Sequence, residues 1–292
     1  MFGNSQSQEA TRPKVGVVLS SGGIKPLAAI PLFDFLDEAR VPIDLLVGCS
    51  GGSIMSALRG SGFDSEQALD FFRRLERDKV LNPINFRSLL GLVGLPLGRF
   101  NMQSGLIRPK RIKQALQDTF GERRIEDLYP KTLLQATDVE TGQGVIMDQG
   151  PLAQAVYASC ALFPVFPPIQ FNGRRLADGY YTSPLPVVEA VKHGMDIIIA
   201  VIFADPINLA ANSYMACLSN YYTIQGDACT RFQMALSIDL HHQEIIIIKV
   251  PFTRAINIWD SHEIPTIIDT GRRAIERCKE EILSAIESFT IP

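Results

Sequence analysis

The chain reads as a succession of short apolar runs, each ended by glycine or proline and followed by a stretch whose apolar residues recur at helical spacing. After a polar head, expected to be flexible over residues 1–13, the run KVGVVLS has the length and β-branched content of a buried strand and stops at Gly22–Gly23. Leu27 to Ala39 then reads as a helix with Leu32, Phe33, Leu36 and Ala39 on one side, Pro31 being tolerable only near a first turn. IDLLVGCS repeats the strand pattern, and GGSIMSALRGSG repeats the helix, closed by Gly60 or Gly62. Two successive strand–turn–helix units predict an α/β fold: three layers, with a mainly parallel central sheet flanked by helices.

Further along, Ser65 to Arg77 is a polar, charged helix, and LIRPKRIKQALQDTFG is an amphipathic helix ending at Gly121. Between them Val80 to Met102 is apolar and glycine-rich but too broken for a long helix. It is either an excursion packed on the core or a flap beside a greasy binding site. KTLLQATDVETGQGVIMD predicts two strands joined near Thr141 and Gly142, PLAQAVYASC a short helix, and ALFPVFPPI a proline-ended segment. A turn at Asp178 to Tyr180 leads to the helix PLPVVEAVKHG and the buried strand MDIIIAVIFADP. Residues 206–243 read as mostly helical, EIIIIKVPF as a further buried strand, and Ile264 to Phe289 as a tail ending in a charged amphipathic helix. No repeat breaks this order, so residues 14–292 are expected to form one domain.

Composition narrows the partners. Hydrophobic residues make up 46% and charged residues only 20% of the 292, an excess that fits either a thick parallel-sheet core or surface meant for lipid. The formal charge is −3 and the basic residues are interspersed with acids, which argues against nucleic acid as a principal partner. Five cysteines without a CxxC pair point to a reducing, cytoplasmic compartment and to no structural zinc. The start lacks the basic-then-apolar order of a secretion signal, and no window is long and apolar enough to span a bilayer, so contact with a membrane would be peripheral.

The chemistry begins at Gly48-Cys49-Ser50-Gly51-Gly52, a G-x-S-x-G placed directly after a strand and before a helix. A serine at such an elbow has its hydroxyl projected at the carboxyl end of the strand, and Gly48 and Gly52 leave room for the sharp turn. The helix N-terminus beneath it favours anionic intermediates, though an N-cap or tight packing would use the same residues. In a parallel sheet the Gly22–Gly23 turn falls beside this elbow, where N–H groups near Gly23 and Ile24 would face a carbonyl oxygen under attack. Lys25 either orients that loop, attracts an anionic head group, or is solvated. The stretch GGIKPL has neither of the phosphate-loop fingerprints. For the base, His241, His242 and His262 are eligible in chain order, while His193 and these three also read as ordinary structural histidines. Asp178 sits in the polar turn of RRLADGYYTSPLP, with Gly179 permitting an unusual backbone angle, and is otherwise explained as a plain Asp-Gly turn.

Taken together, SSGGIK, GCSGGS and ADGYYTSPLPVVEAVKHGMDIIIAV resemble the patatin-like phospholipase family, especially its bacterial members, as do LLQATDVETGQGVIMDQG and AVYASCALFPVFPPI between them. The resemblance runs from about Lys14 to Phe203. It implies a Ser50–Asp178 dyad rather than a triad, with Gly22, Gly23 and Lys25 matching the oxyanion glycines and the basic residue after them. It also implies metal-free and cofactor-free hydrolysis of acyl esters in phospholipids or lysophospholipids, at a lipid or membrane surface such as the inner face of the membrane. Ser21, Pro26, Tyr180 and Phe163-Pro164 depart from the family pattern; Pro26 and Tyr180 border the site and would narrow or reshape it. Leu95, Leu97, Phe100, Phe163 and Phe166, with Tyr180, are expected to line an acyl groove. Asp138 is assigned structural support near the interior, and Asp148 and Asp196 are read as turn residues. An acyltransferase on the same scaffold and a lipid-binding regulator with a disused site are the rival functions, and a homodimer is left open.

Overall fold

The turn chemistry of the sequence resolves into eight strands and ten helices in the computed structural model, which describes residues 12–81, 84–240, 244–258 and 260–289. In chain order these are β1 (Val15–Leu19), α1 (Ile30–Glu38), β2 (Leu45–Cys49), α2 (Gly51–Gly60), α3 (Ser65–Arg77), α4 (Phe86–Leu92), α5 (Lys110–Phe120), β3 (Lys131–Asp138) and β4 (Gly144–Met147). They continue with α6 (Leu152–Ser159), β5 (Ile169–Phe171), β6 (Arg174–Asp178), α7 (Val187–Lys192), β7 (Ile197–Ala204), α8 (Tyr214–Leu240), β8 (Glu244–Pro251), α9 (Ile264–Glu276) and α10 (Lys279–Glu287). Most of the polar head lies outside the described residues.

All eight strands join one mixed sheet in the order β5-β6-β3-β2-β1-β7-β8, with β4 also paired to β3. The centre is parallel, from β3 through β2, β1 and β7 to β8, whereas β4, β5 and β6 run antiparallel to their neighbours. Burial on both faces explains why β1 and β7 read as unbroken apolar runs. Val17, Leu19, Ile199 and Val201 pack on the side of α1, α2 and α9, and Val18, Ile198 and Ala200 pack on the side of α7 and of Met234 from α8. The strand ends are anchored by charge: Asp44 accepts the Val15 N–H at 2.8 Å and both Arg12 guanidinium nitrogens at 2.7 Å, and Asp196 accepts the Lys14 N–H at 2.8 Å.

Two predicted elements differ. The helix expected from Leu27 to Ala39 divides into a 3-10 turn over Lys25–Ala29 and α1, because Pro26 and Pro31 lack the N–H that a continuous helix needs and each occupies a first turn instead. The helical stretch expected over 206–243 begins only at Tyr214, and residues 241–243 lie outside the described residues. The tail ends in the charged helix expected of it, α10, with α9 before it across Arg277–Cys278. Among the described residues no helix is long and apolar enough to cross a membrane.

Candidate active site

β2 delivers Ser50 to the carboxyl edge of the sheet in a conformation that non-glycine residues avoid, φ 53° and ψ −122°. Such backbone costs on the order of 1–3 kcal/mol and persists only where its surroundings fix it. Here they are glycines in close approach: a methyl group on Gly48 would lie 2.5 Å from the Gly52 oxygen, and one on Gly52 would lie 2.5 Å from the Leu19 oxygen. The Ser50 N–H donates to Ser159 Oγ at 3.0 Å, and Ser159 Oγ donates to the Gln135 carbonyl at 2.5 Å, tying the elbow to β3 through α6. The Ser50 side chain does not cap α2. Its Oγ donates instead to Asp178 Oδ2 at 2.7 Å, 128 residues further along the chain.

Asp178 ends β6, whose antiparallel pairing sets it opposite Ala136. Its N–H donates to the Ala161 carbonyl at 3.1 Å, its carbonyl accepts Thr137 Oγ1 at 2.8 Å, and its Oδ1 accepts the Tyr180 N–H at 2.9 Å. The side chain is fully buried. Burial pushes the carboxyl up from its ordinary value near 3.8 to about 7, against the pull of the Tyr180 and Ser50 hydrogen bonds toward the charged form. The same dry surroundings push the Cys49 and Cys160 thiols well above their ordinary range, so both are neutral neighbours of the carboxylate. Gly179 does not use the unusual backbone angle anticipated for it. It is required by contact, since a methyl group there would lie 2.4 Å from the Gln135 oxygen.

The glycine turn after β1 lies beside the elbow. Gly23 has φ 61°, and the Lys25 N–H closes the turn on the Gly22 carbonyl at 3.1 Å. Among the described residues the N–H groups of Gly22, Gly23 and Ile24 have no hydrogen-bond acceptor. Lys25 is buried, and its ammonium pairs with Asp205, just past the end of β7. It is not a solvated lysine. Gly22, Gly23, Lys25, Ser50 and Asp178 share one open cleft of about 500 Å³.

One wall of that cleft was not anticipated. α8 lays Ala216, Ser219, Thr223, Gly226 and Thr230 along it. Their spacing of three and four residues makes a small-residue stripe along one face of the helix. α8 docks on Tyr180: a methyl group on Gly226 would lie 2.7 Å from the Tyr180 hydroxyl, which donates to the Tyr222 carbonyl. Tyr180 is thus an anchor for the cleft wall as well as part of it.

The sequence model of the patatin-like phospholipases matches residues 17–191. The chain belongs to this family. Among curated relatives, "Lysophospholipase NTE1" of Candida glabrata is 28% identical over 188 residues, 64% of this chain and 10% of the relative. An NTE family protein of Mycobacterium bovis is 30% identical over 192 residues, 66% of this chain and 49% of the relative. This chain therefore spans between a tenth and a half of those relatives. Among solved structures, VipD from Legionella pneumophila superposes with a TM-score of 0.54 at 13% identity, covering 93% of this chain and 67% of VipD, a likeness of fold.

Within this patatin-like fold the anticipated acyl-groove residues separate. Phe163 and Tyr180 stand on the cleft wall. Phe166 is buried against Tyr157, ring centroids 6.1 Å apart, as part of the core, because Pro167 and the Tyr157 hydroxyl bond to its carbonyl turn the segment inward. Leu95 and Leu97 are on the surface, Leu97 with 89% of its area exposed, and neither lines the cleft. Phe100 reaches it only indirectly, edge-on to Phe163 at 5.7 Å. Asp138 caps its own turn, accepting the Glu140 N–H at 2.9 Å. His193 bonds the Glu189 carbonyl and His262 lies beside Glu263, both away from the cleft; His241 and His242 lie outside the described residues.

Proposed function

We propose that the chain is a serine acyl hydrolase that cleaves fatty acyl esters of phospholipids or lysophospholipids through an acyl-enzyme. The observation that carries this reading is the 2.7 Å hydrogen bond from Ser50 to a buried carboxylate, beside N–H groups that have no acceptor among the described residues. Asp178 accepts the Ser50 proton as Oγ attacks the ester carbonyl, and the N–H groups of the Gly22–Ile24 turn receive the oxyanion, each donor being worth roughly 2.7–4 kcal/mol in a comparable acyl-transfer site. The proton passes to the departing alcohol. Asp178 then takes a proton from water as the water oxygen attacks the acyl-enzyme, and returns it to Ser50 Oγ as the acyl–oxygen bond breaks, releasing the fatty acid and restoring the free serine. A carboxyl pushed up to about 7 narrows the gap to a hydroxyl and is still half ionised near neutrality, which suits a general base.

The name of the Candida glabrata relative, lysophospholipase, favours one-chain lipids as substrates of this chain too. Residues 14–292 act as one domain in this reading, at the cytoplasmic face of a membrane, with one chain supplying Ser50, Asp178 and the glycine turn. The test is a lipidomic incubation of the purified protein beside Ser50→Ala, with fluorophosphonate labelling of both. Fatty acid release and labelling that both require Ser50 support the proposal. Transfer of the acyl group to an added alcohol or thiol in preference to water would assign an acyltransferase, and bound lipid without turnover would assign a regulator.

A further inference from the structure

From Lys79 to Gln117 the sequence contains Lys or Arg seven times and neither Asp nor Glu, in a chain whose overall charge is −3. The same stretch carries an unusual apolar surface. Phe86, Val93, Leu95 and Leu97 are exposed by 65, 63, 50 and 89% on α4 and the loop after it. Arg87 and Arg99 flank these residues, and among the described residues neither is within ion-pair distance of an acid. Gly91 and Gly98 press the two halves of the hairpin-like segment together, the Arg99 N–H donating to the Arg87 carbonyl at 3.0 Å, so the apolar side chains are splayed outward on a built backbone. Next to this segment, Arg108, Lys110 and Lys113 line an open groove with no acidic residue in its walls.

The segment is fastened to the cleft. Phe100 meets Phe163 edge-on, the Leu106 N–H donates to the Pro164 carbonyl at 2.8 Å, and the Ile107 N–H donates to the Val165 carbonyl at 3.0 Å. Phe163, Pro164 and Val165 are all cleft residues. A surface that buried the segment would therefore lie at the mouth of the site.

We propose that residues 84–113 are a docking surface for a bilayer containing anionic phospholipid, with Phe86, Val93, Leu95 and Leu97 entering the acyl boundary and Arg87, Arg99, Arg108 and Lys110 meeting the head groups. The charge decides the occupant. A second copy of this chain would bring identical cations together, whereas an anionic lipid surface neutralises them and receives the apolar tips at once. The proposal deepens the hydrolase reading and rests on it for the use made of docking, while binding itself is measured separately.

The test is vesicle co-sedimentation of the full chain with phosphatidylcholine alone and with phosphatidylcholine containing phosphatidylserine, beside turnover of a soluble short-chain ester. Wild type binds the anionic vesicles preferentially, and high salt weakens that binding. With roughly fivefold in partition for each basic residue near such a surface, Arg87→Glu with Arg99→Glu lowers binding by at least about tenfold. Val93→Glu also lowers it, and all these variants keep wild-type turnover of the soluble ester. Equal binding to both vesicles, no binding, or indifference to these variants overturns the proposal, as does a wild-type dimer that Val93→Glu converts to monomer. Absence of ester turnover with intact anionic binding would instead reject the hydrolase reading alone.

Discussion

Gly51 stands so close to Gly23 that a methyl group on it would lie 2.0 Å from the Gly23 carbonyl oxygen. The contact is backbone on backbone, so no side-chain rotation relieves it, and it sets the spacing between the elbow that presents Ser50 and the turn that presents the acceptor-free N–H groups. Gly51→Ala is expected to separate the two. Because misplacement by about 1 Å can cost about a hundredfold in rate, kcat falls at least that far, with stability also reduced by the overpacking. Steady-state kinetics with thermal unfolding checks this, and an alanine variant with wild-type kcat would show that the spacing is not used.

The Ser50–Asp178 pair predicts a pH profile. If Asp178 is the base, it works only when ionised, so log kcat/KM rises with pH and levels off above the free-enzyme value near 7. An acid limb near 4 would mean a solvated carboxylate and would contradict the burial. Ser50→Ala and Asp178→Asn are each expected to lose most turnover, and Asp178→Asn does so without losing the fold, its amide still able to meet both Tyr180 and Ser50.

The same carboxylate predicts how stability depends on pH. Its value is higher folded than unfolded, so the folded state holds the proton more tightly, and wild type loses stability as pH rises from about 4 through about 7, with no further loss above. Asparagine does not titrate. The stability of Asp178→Asn relative to wild type therefore grows between pH 4 and 8, by an amount bounded on the order of 4 kcal/mol by the shift itself. Urea unfolding of both proteins at the two ends of that window measures it. A difference that shrinks with rising pH would give the carboxylate a stabilising partner that the structure does not contain among the described residues.

How far the sequence could be read follows from the kind of signal each part leaves. The strands and both site turns were legible because burial on two faces leaves apolar runs, close backbone approach leaves glycines, as at Gly48 and Gly52, and a positive φ leaves one at Gly23. Ser159 was not legible, since its role depends on β3 and α6 coming together, and nothing local marks a serine that receives another residue's N–H. Of the anticipated groove residues, Leu95, Leu97 and Phe166 failed for a related reason. Phe166 and Leu97 are equally apolar in sequence, yet one is core and the other open surface, and only the path of the chain through Pro167 and the Gly91–Gly98 contact separates them. The α8 wall was missed although its small-residue stripe lies inside the stretch read as helical, because only the docking of Gly226 on Tyr180 turns that face toward Ser50 and Asp178.

The cleft also predicts acyl-length dependence. Phe163, Val165, Ile202 and Ile258 offer apolar wall, and each buried methylene contributes about 0.8 kcal/mol at most. A series of soluble esters of increasing chain length should show kcat/KM rising until the cleft is filled. A flat series would mean that the chain stays in solvent and that the walls serve only to dry the site.

Lys25 and Asp205 are a largely buried pair, with 8% and 15% of their side chains exposed, and among the described residues Asp205 Oδ1 has no partner of its own. Removing the ammonium alone strands a carboxylate in the wall of the cleft, and breaking a buried pair from one side costs about 3–5 kcal/mol. Lys25→Met is therefore expected to destabilise strongly and to loosen the turn that carries Gly22 and Gly23, lowering kcat in whatever fraction remains folded. Removing both charges should recover part of the loss, because the stranded group is then gone. A double-mutant cycle on Lys25→Met and Asp205→Asn, read by urea unfolding, is expected to show a coupling of about 0.5–3 kcal/mol. Strict additivity would mean that the two groups are independently solvated and that the turn is held by its backbone alone.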